Sequence, residues 1–458
     1  MIKDKSLSQL GLTQEKTILR AKAFLNEKKL YDNISESLKY FLTCWHDGLG
    51  YLNLKKILKK NISIYEKFIT YLKLIYSFSS IKDVQISQNL KKNKYENLVI
   101  SHLNKSNYTP KKNYFDKHFS LNTNNTKSTI WIFITSSQSS KREKVINNIV
   151  LFKKIYGSSY EKILFFSKFL FKYILSFKFI SPIKNIENYI DNSTIDKKLI
   201  DLVDDLILKK NIKNVVIPFE GHPLQYKILR NIKQNNPKVK SIGYMHSVLP
   251  ALPTDYFKKN KDLDKLFVNG SVQKKILCNK LGWKKYDVKH IPSMRYIAED
   301  KKDFQNQIFL PYFLKDERKI FQLFKNFISR LPKDHFPKLK VRNHPFMQNS
   351  RKHIKLKNLI DNFIDNNVNK VFKNHNKKRI SVFIGSTASI IECLERNISA
   401  IHICSDEILD LYHPRFWKPL RVKKLSECVF EYHLSEKGKL IKIGKTNLGF
   451  KKLGINIY

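Results

Sequence analysis

The sequence predicts an α/β protein with two doubly wound units in tandem, each a parallel sheet wrapped by helices, behind a helical N-terminal extension. Short β-branched or aromatic runs alternate with helical stretches along most of the chain. The alternation occurs twice, on either side of a charged connector, "IAEDKKDFQN", at 297–306. The length of 458 residues also exceeds what one hydrophobic core usually supports, roughly 250 to 300 residues.

Residues 1–90 read mainly as helix, because "SQLGLTQEKTILRAKAFLNEKKL" and "IYEKFITYLKLIYSF" carry apolar residues at helical spacing. Between them "CWHDGLGYLNL" reads as an aromatic packing turn, and "YTPKKNYFDKHFSLNTNNTKS" at 108–128 as a polar loop. In the first unit, 91–300, the strands are "TIWIFIT", "NVVIPF", "VKSIGYMH", "KLFVNG" and "VKHIP", with helices in "LQYKILRNIKQN" and "SVQKKILCNKLG". In the second unit, 301–458, they are "QIFLPYF", "KLKVRN", "KVF", "ISVFIGS" and "SAIHI", with helices through "ERKIFQLFKNFISRL", near 353–364 and at 388–396.

Composition narrows the function classes. A hydrophobic fraction of 42% against 27% charged residues is that of a globular chain. The net charge of +47 attracts anions in general, but the lysines are spread from end to end among Asn and Ile. No zinc-finger spacing or compact basic-aromatic patch accompanies them, so a specific nucleic-acid partner is not expected. A nucleic-acid-binding protein is nevertheless the reading that charge alone would support. The five cysteines (Cys44, Cys278, Cys393, Cys404, Cys428) lack metal-ligand spacing and even-numbered pairing, which fits a reducing compartment. The N-terminus lacks a signal-peptide core and no apolar run reaches about 20 residues, so a cytoplasmic protein is expected. "ILFFSKFLFKYILSFKFI" at 163–180 carries Lys168 and Lys172 on one helical face. It suits a buried helix with snorkelling lysines, or peripheral contact with the anionic inner face of the plasma membrane.

Ligands of open parallel sheets collect beyond the carboxyl ends of the strands. There the sequence puts Glu220, Gly221 and His222 after "VVIPF", His246 and Ser247 after "SIGYM", His344 after "LKVRN", and Ser386, Thr387 and Ser389 after "SVFIG". A carboxylate at a strand end can take a proton from a hydroxyl, or merely cap a helix. Pro345 holds His344 in an extended turn, where an imidazole can donate to a phosphate or move a proton near neutral pH. Gly385 permits a tight turn, and Ser386 or Thr387 caps the next helix, with or without a phosphate at its start. Glu392, a helical turn beyond Ser389, either faces a ligand or is an exposed helix residue. Arg342 and Arg295 are candidate phosphate and substrate contacts; Arg295 serves equally as junction packing. Asp204-Asp205 in "LVDDLIL" lies in a helical pattern and reads as a solvated face, so no metal site is expected.

Taken in order, "PFEGHPLQYKIL", "IGYMHSVLPALPTDYF", "FVNGSVQKKIL", "IPSMRY", "VRNHPF" and "GSTASIIECL" resemble bacterial surface-carbohydrate (capsule, O-antigen, lipopolysaccharide) biosynthesis proteins of GT-B glycosyltransferase type. They are also similar to the pattern of bacterial sialyltransferases, polysialyltransferases and capsule Kdo transferases, over about residues 210–405. The resemblance implies two Rossmann-like domains facing a cleft, an acceptor-side domain followed by a nucleotide-sugar-binding one. It implies Glu220 as general base, His344 on the leaving phosphate, and Ser386, Thr387 or Ser389 on donor phosphate. Phe219 stands where polysialyltransferases usually have a second acid. The implied reaction is metal-independent, inverting transfer from a nucleotide-sugar donor, a CMP-sugar favoured, to a cell-surface glycan or lipid-linked acceptor, without cofactor. A nucleotide-sugar epimerase on the same fold is the alternative.

Overall fold

The computed structural model describes residues 5–26, 81–90, 94–103, 108–109, 113–136, 148–156, 194–258, 263–296, 306–312, 316–329, 339–344, 347–367, 380–444 and 451–455, with scattered positions elsewhere. The turn at 44–54, "KVF", and most of the 64–78 helix, of the 163–180 segment and of the 297–306 connector lie outside the described residues.

The first sheet has eight strands: β1 (Ile81–Asn89), β2 (Asn97–His102), β6 (Thr129–Ser136), β7 (Ile149–Tyr156), β8 (Asn214–Pro218), β9 (Lys240–Tyr244), β10 (Lys265–Val268) and β11 (Val288–His290). Their spatial order is β1-β7-β6-β2-β8-β9-β10-β11. Only β1 runs antiparallel to its neighbour. Strand alternation divides two cores. Leu98, Ile100, Ile132 and Phe152 pack with Leu199 and Leu206 of α2 (Thr194–Lys210) and Leu229 of α3 (Pro223–Asn235). Val99, Trp131, Phe133 and Leu151 face the other way, onto Tyr114, Phe119 and Leu121. A strand buried on both faces must be apolar at successive positions, which is how "TIWIFIT" reads.

Two expectations are corrected here. Residues 81–89 form an edge strand, whereas the stretch to residue 90 was expected to be mainly helical; within it only "VQIS" alternates at period two. The polar stretch at 108–128 is an ordered three-stranded cover built of β3 (Tyr108–Thr109), β4 (Asn113–Asp116) and β5 (Leu121–Asn122). Phe115 is exposed, while Tyr114 and Phe119 are fully buried against the sheet and Leu121 nearly so. Polar composition concealed that they seal one face of the sheet.

The second sheet comprises β12 (Gln307–Phe309), β13 (Lys340–Arg342), β14 (Ile380–Ile384), β15 (Ser399–Ile403), β16 (Leu420–Ser426) and β17 (Val429–Leu434). Their order is β13-β12-β14-β15-β17-β16. β12 to β15 are parallel, and the β16–β17 hairpin is antiparallel. Helices α5 (Glu317–Ser329) and α6 (Arg351–Asn367) cover one face. On the other lies α7 (Ser389–Glu395), whose Ile390, Ile391 and Leu394 join the core that runs on into the first unit. The fold is thus two Rossmann-like α/β units.

The chain termini cross between the units. Helix α1 (Leu7–Asn26) docks on α8 (Glu407–Asp410), where the Gln14 amide donates to the Ile408 and Leu411 carbonyls at 2.8 Å each. In return Asn97 of β2 donates to the Gly454 carbonyl at 3.0 Å, and Leu453 and Ile455 enter the first unit's second core. Between these straps, α4 (Ser271–Lys280) meets the chain at 439–442: Gln273 donates to the Leu440 carbonyl at 2.9 Å, and the Ser293 amide to the Lys442 carbonyl at 2.8 Å. No described helix is long and apolar enough to cross a membrane.

Candidate active site

Sheet order fixes where a ligand crevice opens. From β2 the chain adds β6 and β7 on one side and β8 to β11 on the other, so the first switch point lies between the carboxyl ends of β2 and β8. In the second sheet β13 lies on one side of β12 and β14 on the other, which puts a switch point between the ends of β12 and β14. The residues after these four strands carry most of the chemistry.

At the first switch point β8 runs into α3 through "FEGHP". Gly221 has φ +73° and a Cβ there would press on the Asp255 carbonyl at 3.2 Å, so glycine is required twice over. Gln225, in the first turn of α3, clamps the loop: its oxygen accepts from the Glu220 and His222 amides at 2.9 and 3.2 Å, and its nitrogen donates to the Pro218 carbonyl at 2.7 Å. The Glu220 carboxylate is thereby held between two imidazoles, His222 Nε2 at 2.8 Å and His246 Nε2 at 3.2 Å. Burial pushes this carboxyl up, but the hydrogen bonds from His222 and His246 outweigh it and hold it well below the usual carboxylate range. With 38% of its side chain open to solvent, Glu220 is accessible, and it is ionised at neutral pH.

Four further residues join it that the sequence did not single out. His118, from the turn after β4, stands edge-on to His246 with ring centroids 4.3 Å apart. Its Nδ1 lies 3.1 Å from the Ser101 hydroxyl at the end of β2. Fully buried Asp116 accepts from Ser101 and from the His118 and Phe119 amides at 2.8 and 2.9 Å. His102 completes the group, pushed below the ordinary imidazole range by desolvation, then by His118 and Lys154. "SH" closing "NLVISH" was the available signal for Ser101 and His102; nothing in the polar 108–128 stretch marked Asp116 or His118.

Burial pushes the His246 imidazole down to about 4, with His118 acting the same way against the Glu220 carboxylate. His246 is therefore neutral at pH 7, its Nε2–H donating to Glu220. An unfolded chain would protonate this histidine near 6.5, the folded one only near 4. Between those values the unfolded state binds more protons, so stability falls as pH is lowered, by on the order of 3 kcal/mol from this group. Denaturant midpoints at pH 7 and pH 4.5 check this. His246→Gln should flatten the slope, and equal slopes in both proteins would contradict the assignment.

At the second switch point β12 continues into Leu310, Pro311 and Tyr312, and β14 into Gly385, Ser386 and Thr387. Gly385 has φ +63° and packs against Pro311 and Ser405. The His344 ring, after β13, lies edge-on to Tyr312 at 5.3 Å. Burial pushes its imidazole down, and His353 and Arg295 push it further. Thr387 Oγ1 accepts from the Ser389 amide at 3.3 Å, so Thr387 fills the capping role expected of Ser386 or Thr387.

Arg295, just after β11, lies over the Tyr296 ring at 5.6 Å. Its charge acts both on His246 of the first sheet and on His344 of the second. The two switch points therefore lie within electrostatic reach of one cation. Ser247 is partly exposed beside His246.

Three expectations take a different form. Glu392 is not an exposed helix residue: it is 3% exposed and accepts from Arg396 at 3.1 Å, a buried pair within α7. Arg342 points outward and lies over the Phe309 ring at 5.8 Å. Asp204 is no mere solvated residue, since it accepts from Asn231 at 2.6 Å and Asn235 at 3.0 Å to tie α2 to α3, while Asp205 pairs with Lys209 at 2.7 Å. Among the described residues no cluster of His, Cys, Asp and Glu has the arrangement of a metal site, and the described cysteines are unbridged.

No family model matches the sequence, and no curated protein matches it. Among solved structures the chain is similar to a UDP-GlcNAc 2-epimerase from Methanocaldococcus jannaschii, at 10% identity and a TM-score of 0.33 over 70% of this chain and 91% of that one. It is also similar to a glycosyltransferase from Rickettsia africae ESF-5, at 11% identity and a TM-score of 0.32 over 69% of this chain and 86% of that one. Similarity this distant carries no argument about substrate or reaction.

Proposed function

We propose that this chain is a glycosyltransferase that moves a sugar from a nucleotide donor, a CMP-sugar by the resemblance of its motifs, to a surface glycan or a lipid-linked acceptor. One observation supports the reading above the others. The two parallel sheets each present chemistry-bearing side chains at a switch point, an ionised carboxylate braced by imidazoles at one and an imidazole with hydroxyls at the other.

In this reading an acceptor hydroxyl approaches Glu220, whose oxygens each keep a lone pair beyond the bond from His222 or His246. Glu220 takes the hydroxyl proton as the oxygen attacks the anomeric carbon, and the nucleotide departs from the opposite face with inversion. His344, a neutral donor at pH 7, together with the hydroxyls of Ser386, Thr387 and Ser389, receives the charge that develops on the leaving phosphate. Arg295, between the two groups, favours an anionic substrate. The charge is met by side chains and backbone, so the reaction proceeds without a metal. The basic surface suits an acidic glycan, or acceptors displayed on an anionic inner leaflet.

Incubation with nucleotide sugars and a glycan acceptor, read by mass spectrometry, tests the proposal. The expected result is an acceptor heavier by one sugar residue, at a rate unchanged by EDTA. Conversion of the donor without any acceptor would contradict it and indicate an epimerase.

A further inference from the structure

Two buried histidines flank the second switch point without facing it. His353 of α6 is 3% exposed; the Ser350 hydroxyl lies 2.9 Å from its Nδ1, and its Nε2 lies 2.8 Å from the Pro311 carbonyl. His402 of β15 is fully buried; its Nδ1 lies 3.2 Å from the Tyr432 hydroxyl, and its Nε2 lies 2.8 Å from the Gly385 carbonyl. A carbonyl can only accept, so each Nε2 carries the proton and each Nδ1 accepts from the hydroxyl. Both residues are locked into one tautomer, and both hold the main-chain carbonyl that ends a strand of the switch point.

The peptide plane gives this a consequence. In a trans peptide the carbonyl and the following N–H point in opposite directions, and none of the described peptides is cis. Drawing the Pro311 carbonyl toward α6 turns the Tyr312 N–H away from α6. The Gly385 amide continues the ladder to the Ile403 carbonyl of β15 at 2.8 Å, while its carbonyl is drawn to the His402 ring; the Ser386 N–H is therefore turned away from that ring. Among the described residues neither the Tyr312 nor the Ser386 amide has a hydrogen-bond partner. Tyr312 also carries the ring against which His344 rests.

We propose that His353 and His402 are positioning residues, which hold the Pro311 and Gly385 carbonyls inward so that the Tyr312 and Ser386 amides face the crevice and bind the phosphate of the substrate. The assignment of phosphate to this crevice rests on the function proposed above; the positioning of the two loops does not. Neither histidine touches the ligand, and their effect passes through the two peptide planes.

The test compares His402→Leu and His353→Leu, which remove the donor, with His402→Gln and His353→Gln, whose amide places a donor near the former Nε2. The control is His413→Leu, since the His413 Nε2 holds the Leu7 carbonyl of α1 at 2.9 Å in the same manner. Binding of CMP, UDP, GDP and pyrophosphate is measured by calorimetry, melting temperature by fluorescence, and amide exchange over 384–388 and 308–312 by mass spectrometry without ligand. The leucine variants are expected to bind the preferred nucleotide about tenfold more weakly and to exchange faster over their own loop, with the glutamine variants recovering both. His413→Leu should lower the melting temperature alone. Leucine variants that behave like His413→Leu would overturn the proposal. Should wild type bind none of the probes, the phosphate assignment fails, and the positioning role is then decided by loop exchange: faster in leucine and restored in glutamine upholds it, unchanged refutes it.

Discussion

Glu220→Gln is expected to slow sugar transfer by about 10²–10⁴-fold, the usual contribution of a positioned general base, while donor affinity stays within about twofold because the donor is assigned to the other switch point. The amide preserves the size of the side chain and can accept from one of the two imidazoles, so the loop clamped by Gln225 keeps its shape. The pH profile separates roles further. The hydrogen bonds from His222 and His246 hold Glu220 well below the usual carboxylate range, so the acidic limb of the wild-type profile should lie below that range. Removing a donor, as in His222→Ala, lets the carboxyl rise and moves the limb to higher pH. Activity of Glu220→Gln within threefold of wild type would remove Glu220 from the chemistry.

The second large effect is on stability. Gly270, ahead of α4, has φ −143° and ψ 146°, a region open to any residue, so an added Cβ costs nothing in backbone strain. The cost is steric: that Cβ would overlap the Leu440 carbonyl and lie 2.8 Å from the Lys439 carbonyl. Neither is a side chain that can turn aside, and this strand of contact joins α4 to the second unit. Gly270→Ala should therefore destabilise by about 3 kcal/mol. Gly243→Ala is the comparison, because its Cβ would meet the Leu263 and Leu266 methyls at 3.0 and 3.1 Å and the Phe219 Cβ at 3.0 Å; the methyls can shift and the overlap is far milder, so the loss should be nearer about 1 kcal/mol. Equal denaturant midpoints for the two variants would mean that the junction is not as closely packed as described.

Most of the parallel strands were legible because burial on both faces forces runs such as "NVVIPF" and "SVFIG", but β2 and β7, equally apolar in "NLVIS" and "IVLF", were not assigned as strands. The β16–β17 hairpin was not: Leu420–Ser426 has the burial of a half-exposed strand, with lysines at 423 and 424, and reads like any other basic stretch of this chain. Site legibility followed the same division. Glu220, His222 and His246 announce themselves by ending apolar runs, and His344 by the proline that follows it. Asp116 and His118 come from a segment whose polarity suggests a loop, and they reach the site only because Tyr114 and Phe119 anchor that segment to the sheet. His353 and His402 sit within a helix and a strand, where a histidine looks like one more core residue. Their bonds to Pro311 and Gly385 bridge 42 and 17 positions, a pairing that no local pattern encodes. Glu392 is the converse case: a helix carboxylate one turn from Ser389 reads as ligand-facing or exposed, and the pairing with Arg396 at 3.1 Å is visible only in the fold.

The central claim is that the second switch point holds a nucleotide beside His344. Thermal stabilisation of the purified protein by CMP, CDP, UDP, UMP, GDP and ADP, on wild type and His344→Ala in parallel, tests it most directly. The expected result is a rise in melting temperature with one nucleotide class, CMP for the favoured donor, that is lost or sharply reduced in the variant. A panel without any shift, or a shift that His344→Ala leaves intact, would contradict the claim and make the turn after β13 a structural one.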